Sequence, residues 1–281
     1  MNTVYVSDLD GTLLRDDATL SSFSRNALRE LLHDHVPFTA ASARSATSMR
    51  SMLSGLKFHL PVIEFNGAFI SDLETGQHKI TNSIEPTIVE DIYQLVGAFG
   101  YAPFVSTFNG TDDCLYYSHL VNEGMQWYVR DRQQQQDARL RFIEDLTLSF
   151  HDEVVCLTVI GLGDVLSELK HLVDERHPNS VETHSFENQY SPGWHWLTVH
   201  DRRAAKDQAI RIMLKQWGLD GLELVVFGDS SNDIKMFQLA DRAIAVANAT
   251  DELKRHATHV IGSNNEDSVV KFIRSDCDRA A

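Results

Sequence analysis

Two aspartates separated by one residue follow the apolar run Val4-Tyr5-Val6, in the stretch Val6-Ser7-Asp8-Leu9-Asp10-Gly11-Thr12-Leu13-Leu14. Carboxylates this close repel each other unless a cation lies between them or one of them reacts. A third acid stands near the far end of the chain, in Gly228-Asp229-Ser230-Ser231-Asn232-Asp233. Asp8, Asp10 and Asp229 are hard oxygen donors suited to Mg2+, which takes one or two protein carboxylates and fills its other positions with water or phosphate oxygens. Lys206 adds a point charge suited to a phosphate, and Ser42 adds a hydroxyl donor. A helix expected from about residue 45 would contribute free backbone N–H groups that favour anions. An ionised aspartate can attack phosphorus and form an aspartyl-phosphate, splitting one displacement into two easier ones. A second aspartate then gives a proton to the leaving oxygen and later takes one from water.

The elements that must position these groups alternate between strand and helix. A short β-rich run at 4–6 is followed by a helix carrying Phe23, Ala27, Leu28, Leu31 and Leu32 at helical spacing, with Ser21 or Ser22 as its cap. A strand at 36–41, a helix at 45–53 with Met49, Met52 and Leu53 on one face, and a strand at 61–65 ending at Asn66-Gly67 continue the pattern. The C-terminal section repeats it. A helix at 205–217 stops at Gly218, and strands at 222–227, 243–247 and 259–261 alternate with helices at 233–239, 251–257 and 267–274. Strands separated by helices give βαβ units and a parallel sheet. The middle reads differently. Its strands near 102–106, 154–160 and 196–199 are separated by longer polar pieces, including Gln133 to Gln136, which reads as a solvated helix end. The expected fold is therefore α/β, a doubly wound, mainly parallel core of residues 1–82 and 193–281 with an inserted α+β cap at 83–192.

Each candidate group falls at the end of an expected strand or the start of a helix. Asp8 and Asp10 follow the first strand, Ser42 the second, and Asp229 the strand at 222–227. The carboxyl ends of parallel strands line one edge of the sheet, where ligands bind. Taken singly, an Asp-x-Asp at a strand end is more often a turn or cap, and a lone serine or lysine there is ordinary. Their recurrence in this order, each at an element end, favours chemistry.

DxDGT with Leu-Leu (Asp8 to Leu14), Ala41-Ser42-Ala43-Arg44, Lys206 and Gly-Asp-x-x-Asn-Asp (Gly228 to Asp233) resemble the four motifs of the haloacid dehalogenase superfamily. The Cof-type phosphatases, with a large α/β cap between the second and third motifs, fit best; Asn66-Gly67-Ala68 and Ala247-Asn248-Ala249 extend the likeness. The resemblance implies that Asp8 is the nucleophile and a magnesium ligand. Asp10 is implied as general acid and base, with its backbone carbonyl on the metal, and Asp229 completes the metal site with Asp233 in support. Ser42, the N–H of Ala43, Lys206 and Asn232 would hold the phosphoryl group, while Gly11 and Thr12 would shape the loop after the nucleophile. The second motif usually reads Thr-Gly-Arg, so Ala43 replaces a glycine and restricts a backbone that glycine leaves free. Asp207 stands where a glycine is common, and His35 where one often ends the first helix.

The implied function is a Mg2+-dependent phosphatase of small phosphorylated metabolites, sugar phosphates first, with the cap selecting the leaving group. A phosphotransferase or mutase on the same scaffold, and a non-catalytic receiver-like regulator, are the alternatives. The receiver reading is disfavoured by Asp10, for which a receiver has no need. A net charge of −15 argues against nucleic-acid and anionic-membrane partners. No apolar stretch is long enough to span a bilayer, and an acid by residue 8 precludes a signal peptide, so a cytoplasmic protein is expected. Three scattered cysteines and thirteen histidines without HExxH spacing suggest neither a disulfide framework nor zinc. No GxGxxG or GxxxxGK[ST] motif occurs. The aromatic stretch Tyr190 to Trp196 could stack on a ligand, although Trp196 reads as core, and the loop from Phe108 to Asp113 could face a substrate. The spacing contains nothing that fixes oligomeric state.

Overall fold

The computed structural model describes residues 2–188 and 190–280. The chain opens with β1 (Thr3–Ser7), α1 (Ser22–His33), β2 (Phe38–Ala40), α2 (Ala46–Met52) and β3 (Val62–Glu64), then two further short strands, β4 (Phe69–Ser71) and β5 (His78–Thr81). The middle holds α3 (Pro86–Ala98), β6 (Phe104–Phe108), β7 (Asp113–Tyr117), α4 (Glu123–Gln134), β8 (Leu140–Phe142), β9 (Glu153–Gly161), α5 (Gly163–Arg176), β10 (Val181–Glu187) and β11 (His195–Asp201). The last part comprises α6 (Lys206–Gln216), β12 (Glu223–Gly228), α7 (Ile234–Leu239), β13 (Arg242–Ala245), α8 (Asp251–Lys254), β14 (His259–Val260) and α9 (Ser268–Ala280). Two compact units result: residues up to Thr81 together with those from Ala204 onward, and Asn82–Arg203.

The first unit is built on a parallel sheet in the order β14-β13-β12-β1-β2. Strands β1 and β2 are buried throughout and β12 nearly so, as a sheet covered on both faces requires. Helix α1 packs with α9, and α6 with α7. Ser21 caps α1 by accepting from Ser24 N, and Ala27, Leu28, Leu31 and Leu32 are its buried face. Phe23, read as part of that face, remains 43% exposed, with Lys271 Nζ 5.8 Å from its ring centroid. His35 ends the helix at φ 57°, a left-handed conformation that costs a non-glycine residue about 1 kcal/mol, and its ring lies 4.6 Å from that of His59. Strand β3 joins the parallel sheet through one bridge, Ala41 to Ile63, and forms an antiparallel sheet with β4 and β5.

The second unit is a six-stranded sheet ordered β10-β11-β9-β6-β7-β8, antiparallel except between β7 and β8. Leu157, Val159 and Val199 pack with Val89, Ile92 and Leu166 from α3 and α5, and Phe104, Ile160 and Trp196 pack with Met125 and Val129 from α4. Trp196 is buried as read from the sequence and Trp194 half-buried. The loop after Phe108 is the β6–β7 turn, where Asn109 Oδ1 accepts from Thr111 N and Asp112 N. The expected return to the core after residue 192 falls too early. Strand β11 pairs along its length with β10 and with β9, so it belongs to the inserted unit, which ends at Arg203. Among the described residues no helix is long and apolar enough to cross a membrane.

Candidate active site

The loop after β1 is anchored by what it buries. Leu9, Leu13 and Leu14 enter the core, and Leu14 N closes the turn on Leu9 O at 2.8 Å. Asp8 is thereby held at 6% exposure at the strand end, and Asp10 emerges beyond it, with a side chain 36% exposed. Gly11 turns the chain at φ 69°, and a Cβ there would stand 2.6 Å from Asp229 Oδ2, so a larger residue would displace the third acid. Thr12 Oγ1 donates to Asp229 Oδ1 at 2.9 Å. The loop is steadied from β13 onward, where Asn248 Nδ2 donates to Gly11 O at 2.7 Å.

Lys206 begins α6 and is 2% exposed. Its Nζ donates to Asp8 Oδ1 and to Asp233 Oδ1, each at 2.7 Å. Asp233 is fully employed, since its Oδ2 accepts from Asp229 N at 3.0 Å and Ser230 N at 3.2 Å. Asn232 Nδ2 donates to Asn66 Oδ1 at 3.2 Å. Asn66 is left-handed (φ 57°), and the Gly67 beside it sits where a Cβ would come within 2.9 Å of Ala205 O. That close approach seats the start of α6, and with it Lys206. Burial raises the Asp8 carboxyl well above its usual range, as do the charges of Asp233 and Asp229, while Lys206 opposes them. Burial and then the Asp233 charge push Asp229 up to about 6. Burial works against the Lys206 cation, yet Asp233 and Asp8 outweigh it and raise its pKa.

Ser42 follows β2, and its Oγ accepts from Arg44 N at 3.2 Å. Ala43 keeps out of the positive-φ region, so replacing the family's glycine costs nothing in backbone conformation. The expectation that α2 offers free N–H groups to an anion is narrowed, because two of the first-turn groups are taken. Ser45 Oγ accepts from Ser48 N, and the buried Glu64 carboxylate accepts from Ala46 N. Part of the helix terminus is thus satisfied from within the protein. Arg44, which closes the segment Ala41 to Arg44, grips Asp10 through two bonds of 2.6 Å, Nε to Oδ2 and Nη2 to Oδ1. Spacing alone assigns no function to Arg44, Glu64 or Asn248. For Glu64 a signal existed, because a carboxylate inside a short apolar strand seldom lacks a purpose.

Asp8, Asp229 and Asp233 each offer an oxygen within 4.8 Å of the others. Among the described residues no hydrogen-bond donor reaches Asp8 Oδ2 or Asp229 Oδ2. One hard oxygen on each of these two acids remains for a cation, and the carboxylate repulsion that adds to burial in raising both pKa values is what a divalent ion relieves. The donor set fits Mg2+. Asp10 takes no part through its carboxylate, which faces Arg44; only its backbone carbonyl is left for that role.

A family profile described as haloacid dehalogenase-like hydrolase matches residues 5–273. A putative phosphatase of Haemophilus influenzae is 26% identical over 274 residues, covering 97% of each chain. A pyridoxal phosphate phosphatase of Escherichia coli is also 26% identical, over 275 residues and 97% of each chain. Among solved structures, a sugar phosphatase of the superfamily's subclass IIB superposes with a TM-score of 0.75 at 19% identity, covering 98% of both chains.

Proposed function

Because the chain belongs to the haloacid dehalogenase-like hydrolases and is a phosphatase of their Cof type, we propose that it hydrolyses small phosphorylated metabolites, sugar phosphates foremost, through an aspartyl-phosphate on Asp8. The observation that carries this reading is the meeting of Asp8, Lys206 and Asp229, far apart in sequence, at the carboxyl ends of neighbouring strands β1 and β12. In the first step Asp8 attacks phosphorus, the bond from phosphorus to the ester oxygen breaks, and Asp10 gives that oxygen its proton. In the second, Asp10 takes a proton from water as the water oxygen attacks phosphorus, and the bond to Asp8 breaks to release phosphate. Ser42 Oγ, the Ala43 N–H, Lys206 and Asn232 hold the phosphoryl oxygens, and Asp10, whose two oxygens are paired with Arg44 in this structure, must leave that pair to carry a proton. Asp8, Asp229 and the Asp10 carbonyl would hold Mg2+, which would supply positive charge against the repulsion between carboxylate and phosphate.

Residues 82–203 carry leaving-group selection in this reading. The relatives named for sugar phosphates and pyridoxal phosphate support a small alcohol as leaving group. We assign the protein to a reducing cytoplasm, a setting that its free cysteines suit. The test is phosphate release from an aryl phosphate, with and without Mg2+, by the native protein and Asp8→Asn. Mg2+-dependent release lost in the variant is expected, and release that survives Asp8→Asn would sink the mechanism. A transferase would need an added acceptor alcohol before phosphoryl groups turned over.

A further inference from the structure

Residues 63–66 hold the backbone of loop 42–46 at successive points. Ile63 O accepts from Ser42 N at 3.0 Å, Phe65 N donates to Arg44 O at 3.1 Å, and Asn66 N donates to Ser42 O at 2.9 Å. The fourth contact comes from a side chain, Glu64, whose Oε2 accepts from Ala46 N. Glu64 is 0% exposed, in a strand whose packing an aliphatic residue would serve better. Its Oε1 accepts no hydrogen bond and lies 3.5 Å from Nδ1 of His78, itself buried. That nitrogen is 2.6 Å from Ser71 Oγ, and the His78 ring stacks on Phe69 at 3.8 Å. A bracket therefore runs from β5 through His78 and Glu64 to the loop, with a 3.5 Å contact and no hydrogen bond at the step between His78 and Glu64. Two of the bracing residues, Phe65 and Asn66, adopt positive φ (44° and 57°), so the segment is strained into the shape that makes these bonds.

We propose that Glu64, braced by His78, is a positioning residue for phosphoryl binding. It fixes the loop that presents Ser42 Oγ and the Ala43 N–H, and it fills the start of α2 with an internal anion so that the substrate's phosphate is directed to Ser42, Ala43 and Lys206. The inference rests on the assignment of loop 42–46 to the phosphoryl group, so its test must separate the two. Inorganic phosphate binding to the Mg2+-loaded protein is measured by calorimetry for Glu64→Met, Glu64→Gln, His78→Phe and Ser42→Ala, alongside kcat, KM, the Mg2+ half-activation concentration and Tm.

Glu64→Met leaves Ala46 N without an acceptor, and phosphate should bind ~10-fold more weakly with kcat/KM falling at least as far, because small displacements of a binding group are costly. The Mg2+ half-activation concentration should stay within ~2-fold, since the cation donors are elsewhere. Glu64→Gln retains an acceptor oxygen for Ala46 N and should recover most of the loss, a rescue that a packing role alone does not give. Native phosphate affinity in Glu64→Met, with Ser42→Ala weakened, overturns the role of Glu64 and leaves the loop assignment standing. Native affinity in both overturns the loop assignment and the inference with it. If Glu64→Met does not fold, His78→Phe decides, since it keeps the stack on Phe69 and removes Nδ1. A ~3-fold weaker phosphate affinity is expected there, and an unchanged one overturns the bracket.

Discussion

At the scale of single residues, Asp229 shows what gathering buried carboxylates costs. Its pKa of about 6 against an ordinary 3.8 means that the folded protein binds this proton more tightly than the unfolded chain does. The stability this group contributes is full below the unfolded pKa and is lost as pH rises toward about 6. In metal-free protein, Asp229→Asn should therefore raise Tm at pH 7.5, with the gain constant down to about pH 6 and gone near 3.8. Thermal unfolding of both proteins from pH 4 to 8 checks it; a gain that grows on acidification contradicts the assignment. Asp8, Asp10, Asp229 and Lys206 were legible because each follows a strand or opens a helix, where chain direction alone brings them together. The pairing of Arg44 with Asp10 was not, because the rotamer that joins them has no spacing rule. Glu64 was hidden inside the run it interrupts, and its partner His78 lies on a strand the sequence reading did not find.

At the scale of elements, Gly67 couples a turn to a helix. Its φ of 118° excludes L side chains, and a Cβ would press on Ala205 O at 2.9 Å and Ala205 N at 3.1 Å. Gly67→Ala should destabilise the protein by ~2–4 kcal/mol through backbone strain and overpacking. By shifting the start of α6 it should also move Lys206 from Asp8 and lower kcat at least ~10-fold. Gly221→Ala is the control, at φ 90° with nothing within 4 Å of a built Cβ; it should cost stability and leave kcat native. Equal kcat losses in the two variants would refute the coupling. Alternating strands and helices made the core legible. Strands β4 and β5 are not legible in the sequence, because one is three residues long and the other lies partly exposed, so neither supplies a clear alternation. The return to the core lies after Arg203 and not after residue 192, because hydrogen bonding to β9 and β10 decides where β11 belongs.

At the scale of the whole molecule, a net charge of −15 opposes the approach of a phosphate dianion. Screening by monovalent salt should then raise kcat/KM, by ~2-fold between ~20 and ~200 mM KCl at saturating Mg2+. A fall over that range would mean that the local cations govern encounter. The fold also sets a schedule for synthesis. Strand β1 takes β12 as its neighbour, and Thr3 and Glu223 in that pair are 220 positions apart. A ribosome adding ~5–20 residues per second needs roughly ten to forty seconds to cover that distance. Throughout it the strand bearing Asp8 lacks one flanking strand, and Asp8 lacks Lys206 until near the end. If Asp8 acts as proposed, a chain released before residue 206 carries Asp8 with neither Lys206 nor Asp229, and such truncated products should release no phosphate from esters that the full chain hydrolyses.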